Sequence, residues 1–285
     1  MKSPCFFIHL FNFLFILSLS FKNHYLKSKI ERRPFDVFKR HVTFIEAHRG
    51  MNRELPQNTI IAFQRCILYE VESFETDVWL TKDNIPVIIH GGDNGEIDRT
   101  FDHEGIVTEL TWEELSKYRT KEMSQPMPRL DETFELIKGK IFINLEIKDP
   151  RANLTFPVII SYIEKYDMFD QLAISSFHHE YYPLIEDYNK NHEKKIVFGF
   201  LYDQDTTIEQ INFNNTYTTI NLYYSDITKE ICDKAHQNNI AVMAWFLMKD
   251  EETTGIYEHL IKIGVDSIIS NEALFAKRFR DYYYS

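Results

Sequence analysis

From residue 42 onward, short β-branched and aromatic runs alternate with stretches of helical periodicity, and that alternation leaves few folds open. The strand-like runs lie at 43–47, 74–80, 86–90, 140–147, 172–176, 195–201, 217–222, 240–246 and 265–269. Helix-like runs at 59–70, 112–118, 130–138, 156–166, 180–189, 229–238, 253–263 and 272–281 fall between or after them. A helix after nearly every strand supplies the dozen or so residues that a parallel crossover needs, so the pattern predicts successive βα units. The expected class is α/β and the expected architecture a TIM-type (β/α)8 barrel, which suits a single domain in a chain of 285 residues. Nine strand runs are one too many for it. The surplus lies at 74–80 and 86–90, separated only by Thr81-Lys82-Asp83-Asn84-Ile85. These two should form a hairpin-like pair with one member outside the barrel. Residues 91–128, opening on Gly91-Gly92-Asp93-Asn94-Gly95, then become a loop excursion over the C-terminal mouth.

The first residues are of another kind. Lys2, an apolar run over 5–17, and Ser18 and Ser20 read as a secretory signal cleaved near Ser20. The run is short for a spanning helix, which takes about 20 apolar residues. Lys22, Lys27, Lys29, Arg32 and Arg33 follow at once, and such charge can hold an uncleaved segment at the membrane. The expected organisation is a signal peptide or membrane anchor over 1–20, a polar connector over 21–41 and a barrel domain over 42–285. The expected location is secreted or in an endomembrane lumen, the alternative being membrane association through residues 5–20. Cys5, Cys66 and Cys232 lack CxxC spacing, so no zinc cluster is indicated. Cys66 reads as a buried thiol, with a Cys66–Cys232 disulfide left open. A formal net charge of −11 argues against nucleic acid as a partner. It also means that an anionic substrate would need local cations or a metal.

Reactive side chains fall where the strand runs end. His48-Arg49-Gly50 closes the first run and His90 the third. Glu75 and Asp77 are two apart within the second run, and Glu146 and Lys148 are two apart at the end of the fourth, so each pair shares a strand face. In a barrel those ends meet at one mouth. Three converging carboxylates, Glu75, Asp77 and Glu146, repel one another unless a cation lies between them. An all-oxygen set favours one hard divalent ion, Mg²⁺ or Ca²⁺, over zinc. Arg49 and Lys148 would complete a cationic cradle for phosphate, and two histidines supply a base and an acid. Each residue alone has an ordinary reading: a strand-end histidine is commonly structural, and Glu-x-Asp can be a solvated face. Phe74, Val78, Leu145 and Ile147 flank the carboxylates, however, and unpaired charge among them would be expensive. The remaining histidines, His178 and His179 included, read as surface, loop or leader residues.

Ordered motifs over about 100 residues, from Ala47 to Lys148, carry a family resemblance. They are Ala47-His48-Arg49-Gly50, Leu55-Pro56-Gln57-Asn58-Thr59, Phe74-Glu75-Thr76-Asp77-Val78-Trp79, Pro86-Val87-Ile88-Ile89-His90, Leu110-Thr111-Trp112-Glu113-Glu114-Leu115 and Leu145-Glu146-Ile147-Lys148, with weaker matches at Ser175-Ser176-Phe177 and Trp245. In these the chain resembles the glycerophosphodiester phosphodiesterase family of the phospholipase-C-like barrels. The resemblance implies His48 and His90 as the catalytic pair, His48 as base and His90 as acid. It implies Glu75, Asp77 and Glu146 as metal ligands, Arg49 and Lys148 as phosphate contacts, and Trp245 as a pocket wall. The reaction implied is hydrolysis of glycerophosphodiesters to glycerol 3-phosphate and an alcohol. Four departures from the family pattern stand out. Gln57 replaces the usual Glu, losing a charge but keeping hydrogen-bonding capacity on the substrate side. Gly91-Gly92 follows His90 in place of an Asp, Arg129 replaces a Thr, and Ser270-Asn271-Glu272 replaces Thr-Asp-x-Pro. Rival readings are a lysophospholipase D or sphingomyelinase D-like enzyme acting on membrane lipid, a metal-independent lyase, and a catalytically silent barrel that holds a phosphorylated ligand.

Overall fold

The computed structural model describes residues 42–215 and 218–285. The expected leader and connector over 1–41 lie outside the described residues, as does Tyr217 at the start of one predicted strand. Among the described residues nine strands form: β1 (Phe44–Ala47), β2 (Ser73–Leu80), β3 (Pro86–Ile88), β4 (Phe142–Ile147), β5 (Leu172–Ser176), β6 (Val197–Leu201), β7 (Thr218–Tyr223), β8 (Ala241–Trp245) and β9 (Ser267–Ser270). The helices are α1 (Ile60–Leu68), α2 (Trp112–Leu115), α3 (Leu130–Ile137), α4 (Ala152–Tyr166), α5 (Tyr181–Asn191), α6 (Lys229–Gln237), α7 (Thr254–Ile263) and α8 (Ala273–Tyr283). Eight strands run parallel in the order β1-β9-β8-β7-β6-β5-β4-β2, and β1 closes the ring against β2. The barrel expected from the alternation is therefore present, with β3 as the surplus strand.

Alternation along each strand sorts side chains between two cores. Outward residues such as Ile45, Ala47, Phe74, Leu145 and Ile147 pack beneath the helices, where Phe63 of α1 stacks on Phe74 at 4.4 Å. Each such aromatic burial contributes about 1.5–3 kcal/mol. Inward residues Phe44, Phe142, Ala241, Met243 and Ile269 form a separate apolar plug. Polarity rises along the inward face. On β1 the order is Phe44, Glu46, then His48; on β4 it is Phe142, Asn144, Glu146, then Lys148. Hydrophobic filling thus gives way to ionisable groups toward the C-terminal mouth.

β3 makes the expected hairpin-like pair with β2, and what departs from expectation is how it delivers His90. It pairs antiparallel with β2 (Val78↔Ile88, Leu80↔Pro86), on the edge that β1 covers only as far as Phe74. It therefore descends from the mouth, and Ile89 N–H donates to the Asp77 carbonyl at 3.1 Å. His90 reaches the site from above, two residues past the end of a strand running against the barrel strands, and not at the C-terminal end of one of them. The excursion that follows is ordered. Isolated bridges join Glu96 to Ile106 and Phe101 to Thr120. Thr111 and Glu114 cap α2 reciprocally. A second small core of Trp79, Val87, Ile89, Ile97, Phe101, Val107, Leu115 and Met127 holds the excursion to β2 and β3. Cys66 and Cys232 are both buried and free, so no disulfide links them.

Candidate active site

The segment after β1 is a tight turn whose backbone is set by its neighbours. Arg49 has φ 55° and Gly50 φ 77°. A Cβ at position 50 would lie 2.9 Å from the Ala62 Cβ, so α1 can pack here only against glycine. The turn aims the Arg49 N–H at Glu75 Oε2 (3.0 Å) and brings its guanidinium to Gln57 Oε1 (2.7 Å) and Asp77 Oδ2 (3.5 Å). The next motif residues each have a separate task. Thr59 caps α1 through its hydroxyl. Asn58, at φ 57°, donates its amide to Asp77 Oδ2 at 2.8 Å and accepts from the Thr76 hydroxyl at 2.6 Å. Gln57 holds the Arg49 guanidinium without neutralising it.

Glu75, Asp77 and Glu146 converge. One oxygen from each lies within 4.8 Å of the others. Asp77 is fully buried, and Glu75 and Glu146 nearly so. Glu75 Oε1 and Asp77 Oδ1 are buried without a hydrogen-bond partner. Left bare, such atoms cost stability; facing a cation, they are ligands. The charges agree with this. Burial, reinforced by the Asp77 and Glu146 carboxylates, pushes the Glu75 pKa well up, and burial also raises Glu146 against the pull of Lys148. Burial acts the same way on Asp77, yet Arg49, His90, Lys148 and the Asn58 amide together hold it at about 2. The cluster is short of positive charge, and the donor set fits a hard divalent ion. Lys148 Nζ lies 3.2 Å from Glu146 Oε1, and despite burial the carboxylates hold its pKa above the usual lysine range.

The histidines flank this cluster. His48 Nε2 is 3.8 Å from Glu75 Oε2, and its Nδ1 lies 2.8 Å from Asn271 Oδ1. Burial, then the Arg49 charge, lowers its pKa to about 3. Burial does the same to His90, with Arg49 and Lys148 opposing the attraction of Asp77, and its pKa is also about 3. Both rings are neutral in this setting. Trp79 Nε1 donates to the His90 carbonyl at 3.0 Å, which fixes the backbone just before the Gly91-Gly92 step. Gly91 has φ 67°, and a Cβ there would lie 2.8 Å from Trp79 Nε1.

Above these groups opens a cleft of about 960 Å³. His48, Arg49, Gln57, Glu75, His90, Glu146, Lys148 and Trp245 line it, and Asp77 lies beneath with the other carboxylates. All nine residues singled out from the sequence thus meet in one place. Sequence reasoning overlooked several neighbours. His178, read as a loop histidine, lines the cleft, with Nε2 3.2 Å from the Lys148 carbonyl. Phe177 meets Trp245 edge-on, ring centres 6.0 Å apart, in the same wall. Arg99 and Thr100 enter from the excursion. Only Phe177 had a local signal, in the Ser175-Ser176-Phe177 match.

Known proteins resemble this chain over most of its length. The model of the glycerophosphoryl diester phosphodiesterase family matches residues 48–274. A glycerophosphodiester phosphodiesterase of Caldanaerobacter subterraneus subsp. tengcongensis is 33% identical over 247 residues, covering 81% of this chain and 94% of that protein. One from Bacillus altitudinis is 25% identical over 243 residues, covering 81% and 95%. Two solved structures are similar in fold. An Oleispira antarctica phosphodiesterase in complex with the product sn-glycerol-3-phosphate has a TM-score of 0.72 at 21% identity, covering 84% of this chain and 97% of that one. A Parabacteroides distasonis glycerophosphodiester phosphodiesterase has a TM-score of 0.70 at 16% identity, covering 85% and 98%.

Proposed function

The chain belongs to the glycerophosphoryl diester phosphodiesterase family, and from that membership we propose that it hydrolyses glycerophosphodiesters to glycerol 3-phosphate and an alcohol by histidine acid–base chemistry beside a divalent cation. The observation that carries the metal-assisted reading is the pair of orphaned carboxylate oxygens, Glu75 Oε1 and Asp77 Oδ1, beside two neutral imidazoles. Glu75, Asp77 and Glu146 would hold the ion, and Mg²⁺ or Ca²⁺ suits their all-oxygen set. Bound there, a cation supplies Lewis-acid stabilisation of charge on a phosphoryl oxygen.

The chain's own residues do the rest. Arg49 and Lys148 take the phosphate, Arg49 pre-set by Gln57 and by its own left-handed turn. His48 removes a proton from the glycerol hydroxyl as its oxygen bonds to phosphorus, and His90 gives one to the leaving alcohol oxygen as the P–O bond to it breaks. Water then opens the resulting cyclic phosphate with the two roles exchanged, so glycerol 3-phosphate is released and both histidines regain their starting protonation. His90 must be protonated to act as acid, and the arriving phosphate's negative charge favours that form. Trp245 and Phe177, set edge to face, provide an apolar wall for the organic part of the substrate. Nothing in the cleft favours a lysolipid over a water-soluble diester.

The test is a panel of glycerophosphodiesters and lysolipids assayed with EDTA and with Mg²⁺ or Ca²⁺ restored. Release of glycerol 3-phosphate should vanish on chelation. His48→Ala and Glu75→Ala should each lower turnover by about 10²–10⁴-fold while the protein stays folded. Turnover that survives both substitutions would overturn this mechanism.

For the ends of the chain the sequence is the whole support. We propose residues 1–20 as a secretory leader, 21–41 as a connector and 42–285 as the catalytic domain, with secretion or lumenal delivery as the outcome. Among the described residues no helix is long and apolar enough to cross a membrane. N-terminal sequencing of the protein from its native source would show cleavage near Ser20, or an intact start in the case of an anchor.

A further inference from the structure

His48 is gripped on the side away from the carboxylates by a set of neutral amides whose hydrogen-bonding sense can be worked out. Its Nδ1 lies 2.8 Å from Asn271 Oδ1. An amide could present either end to a histidine, but two neighbours decide here. The Leu247 carbonyl can only accept, so the Asn271 atom 3.0 Å from it is the NH₂ group. At the other end, Asn52 approaches at 3.0 Å with a donor, because the same Asn52 nitrogen also gives a 2.7 Å hydrogen bond to the His48 carbonyl. Turning either amide over would set oxygen against oxygen. Asn271 therefore offers His48 an acceptor, and in the neutral ring the single proton must reside on Nδ1 to meet it. That leaves Nε2 with its lone pair, on the side facing Glu75.

The amide is itself held in place. Asn271 is only 4% exposed. Its N–H donates to Glu252 Oε1 at 2.7 Å, and Glu252 Oε2 accepts from the Ser270 hydroxyl at 2.5 Å and from the Tyr257 hydroxyl at 2.7 Å. His48 N–H in turn donates to the Ser270 carbonyl at 3.0 Å. The base and its orienting group are thus fixed to one another through backbone and side chain alike.

We propose that Asn271 is the positioning residue of the reaction: it locks His48 as the Nδ1–H tautomer, so that Nε2 can only accept a proton and the base role falls to His48. This rests on the phosphodiesterase reading for its purpose, but the tautomer is a property that can be measured without turnover. A ring in the opposite tautomer would point N–H at the attacking group and could not act as base. The partner is a neutral amide where the related sequence pattern has an aspartate, so orientation is supplied with no added negative charge.

The deciding measurement is ¹⁵N NMR of histidine-labelled protein at neutral pH, with and without Mg²⁺, the His48 ring being assigned by the signal lost in His48→Gln. The unmodified chain should show the proton on Nδ1. A proton on Nε2 overturns the proposal whatever happens to any variant. Asn271→Leu keeps the shape and removes the acceptor. It should let the ring populate both tautomers and lower kcat about 10- to 100-fold with KM little changed. Wild-type kcat in a folded Asn271→Leu protein likewise overturns the proposal. Asn271→Asp restores an acceptor at Nδ1, although its second oxygen loses the bond to the Leu247 carbonyl, and should recover the Nδ1–H ring; an Nε2–H ring in that variant counts against the proposal. If the unmodified chain hydrolyses none of the diesters yet shows the Nδ1–H ring, the functional reading has failed and the tautomer assignment has not.

Discussion

Glu46 shows how much a single buried carboxyl can demand of its surroundings. It sits two residues before His48 on the inward face of β1, almost fully buried. The Ser267 hydroxyl donates to it at 2.7 Å and the Ser73 hydroxyl at 3.4 Å. Burial, only partly offset by these hydroxyls and by Asn144, raises its pKa to about 7. The folded protein then keeps a proton that the unfolded chain releases at its ordinary value of 4.5. Stability should accordingly fall as pH rises from about 4.5 to about 7 and level off above, a loss of about 3 kcal/mol from this one group. Glu46→Gln should flatten that slope in denaturant titrations from pH 5 to 8 and leave the variant more stable than wild type at pH 8. A wild-type slope retained in the variant would rule out Glu46 as its source.

Among the elements, β3 and the loop after it do most to shape the mouth. The antiparallel course of β3 brings His90 down beside Asp77, and the chain must then turn sharply under Trp79. Gly91 makes that turn with a left-handed backbone and no room for a side chain. Gly91→Ala should cost about 1–3 kcal/mol of local strain. Because that strain falls on the residue after His90, the expected signature is a turnover loss larger than the drop in melting temperature would explain. Steady-state kinetics beside a thermal melt would reveal it, and an alanine variant with wild-type turnover would show that the turn does not position His90. The excursion earns its order from its own small core around Phe101 and Leu115, which is why a long segment with little regular structure still forms one wall of the cleft.

For the molecule as a whole, the carboxylate cluster is a liability that a bound cation would remove. Three buried carboxyls at the mouth, two with orphaned oxygens, destabilise the fold until their charge is met. An ion that binds the folded form alone adds about 2.7 kcal/mol at a concentration a hundredfold above its Kd. In a domain of this size that is about 5–10 °C in Tm. Differential scanning fluorimetry with EDTA, then with Mg²⁺ or Ca²⁺, should show the rise, and Asp77→Asn should abolish most of it. The same melting temperature in EDTA and saturating metal would argue that the cluster binds no ion.

Apart from Gln57 and Trp245, which only the family resemblance singled out, the sequence by itself determined the barrel, its surplus strand and the residues of the candidate site. Those features rest on local periodicity: two-residue spacing on a strand face, helices long enough for crossovers, and five residues too few for one. Only the tertiary structure decided where β3 docks and so how His90 arrives: the antiparallel sense follows from the five-residue connection, but the docking edge is free because β1 pairs with β2 only at Ser73 and Phe74. It alone joined Asn271 to His48 across 223 residues of chain, and brought His178 to the cleft wall. Contacts of that span leave no period in the sequence; they arise when the ring of strands closes and places its last strand beside its first.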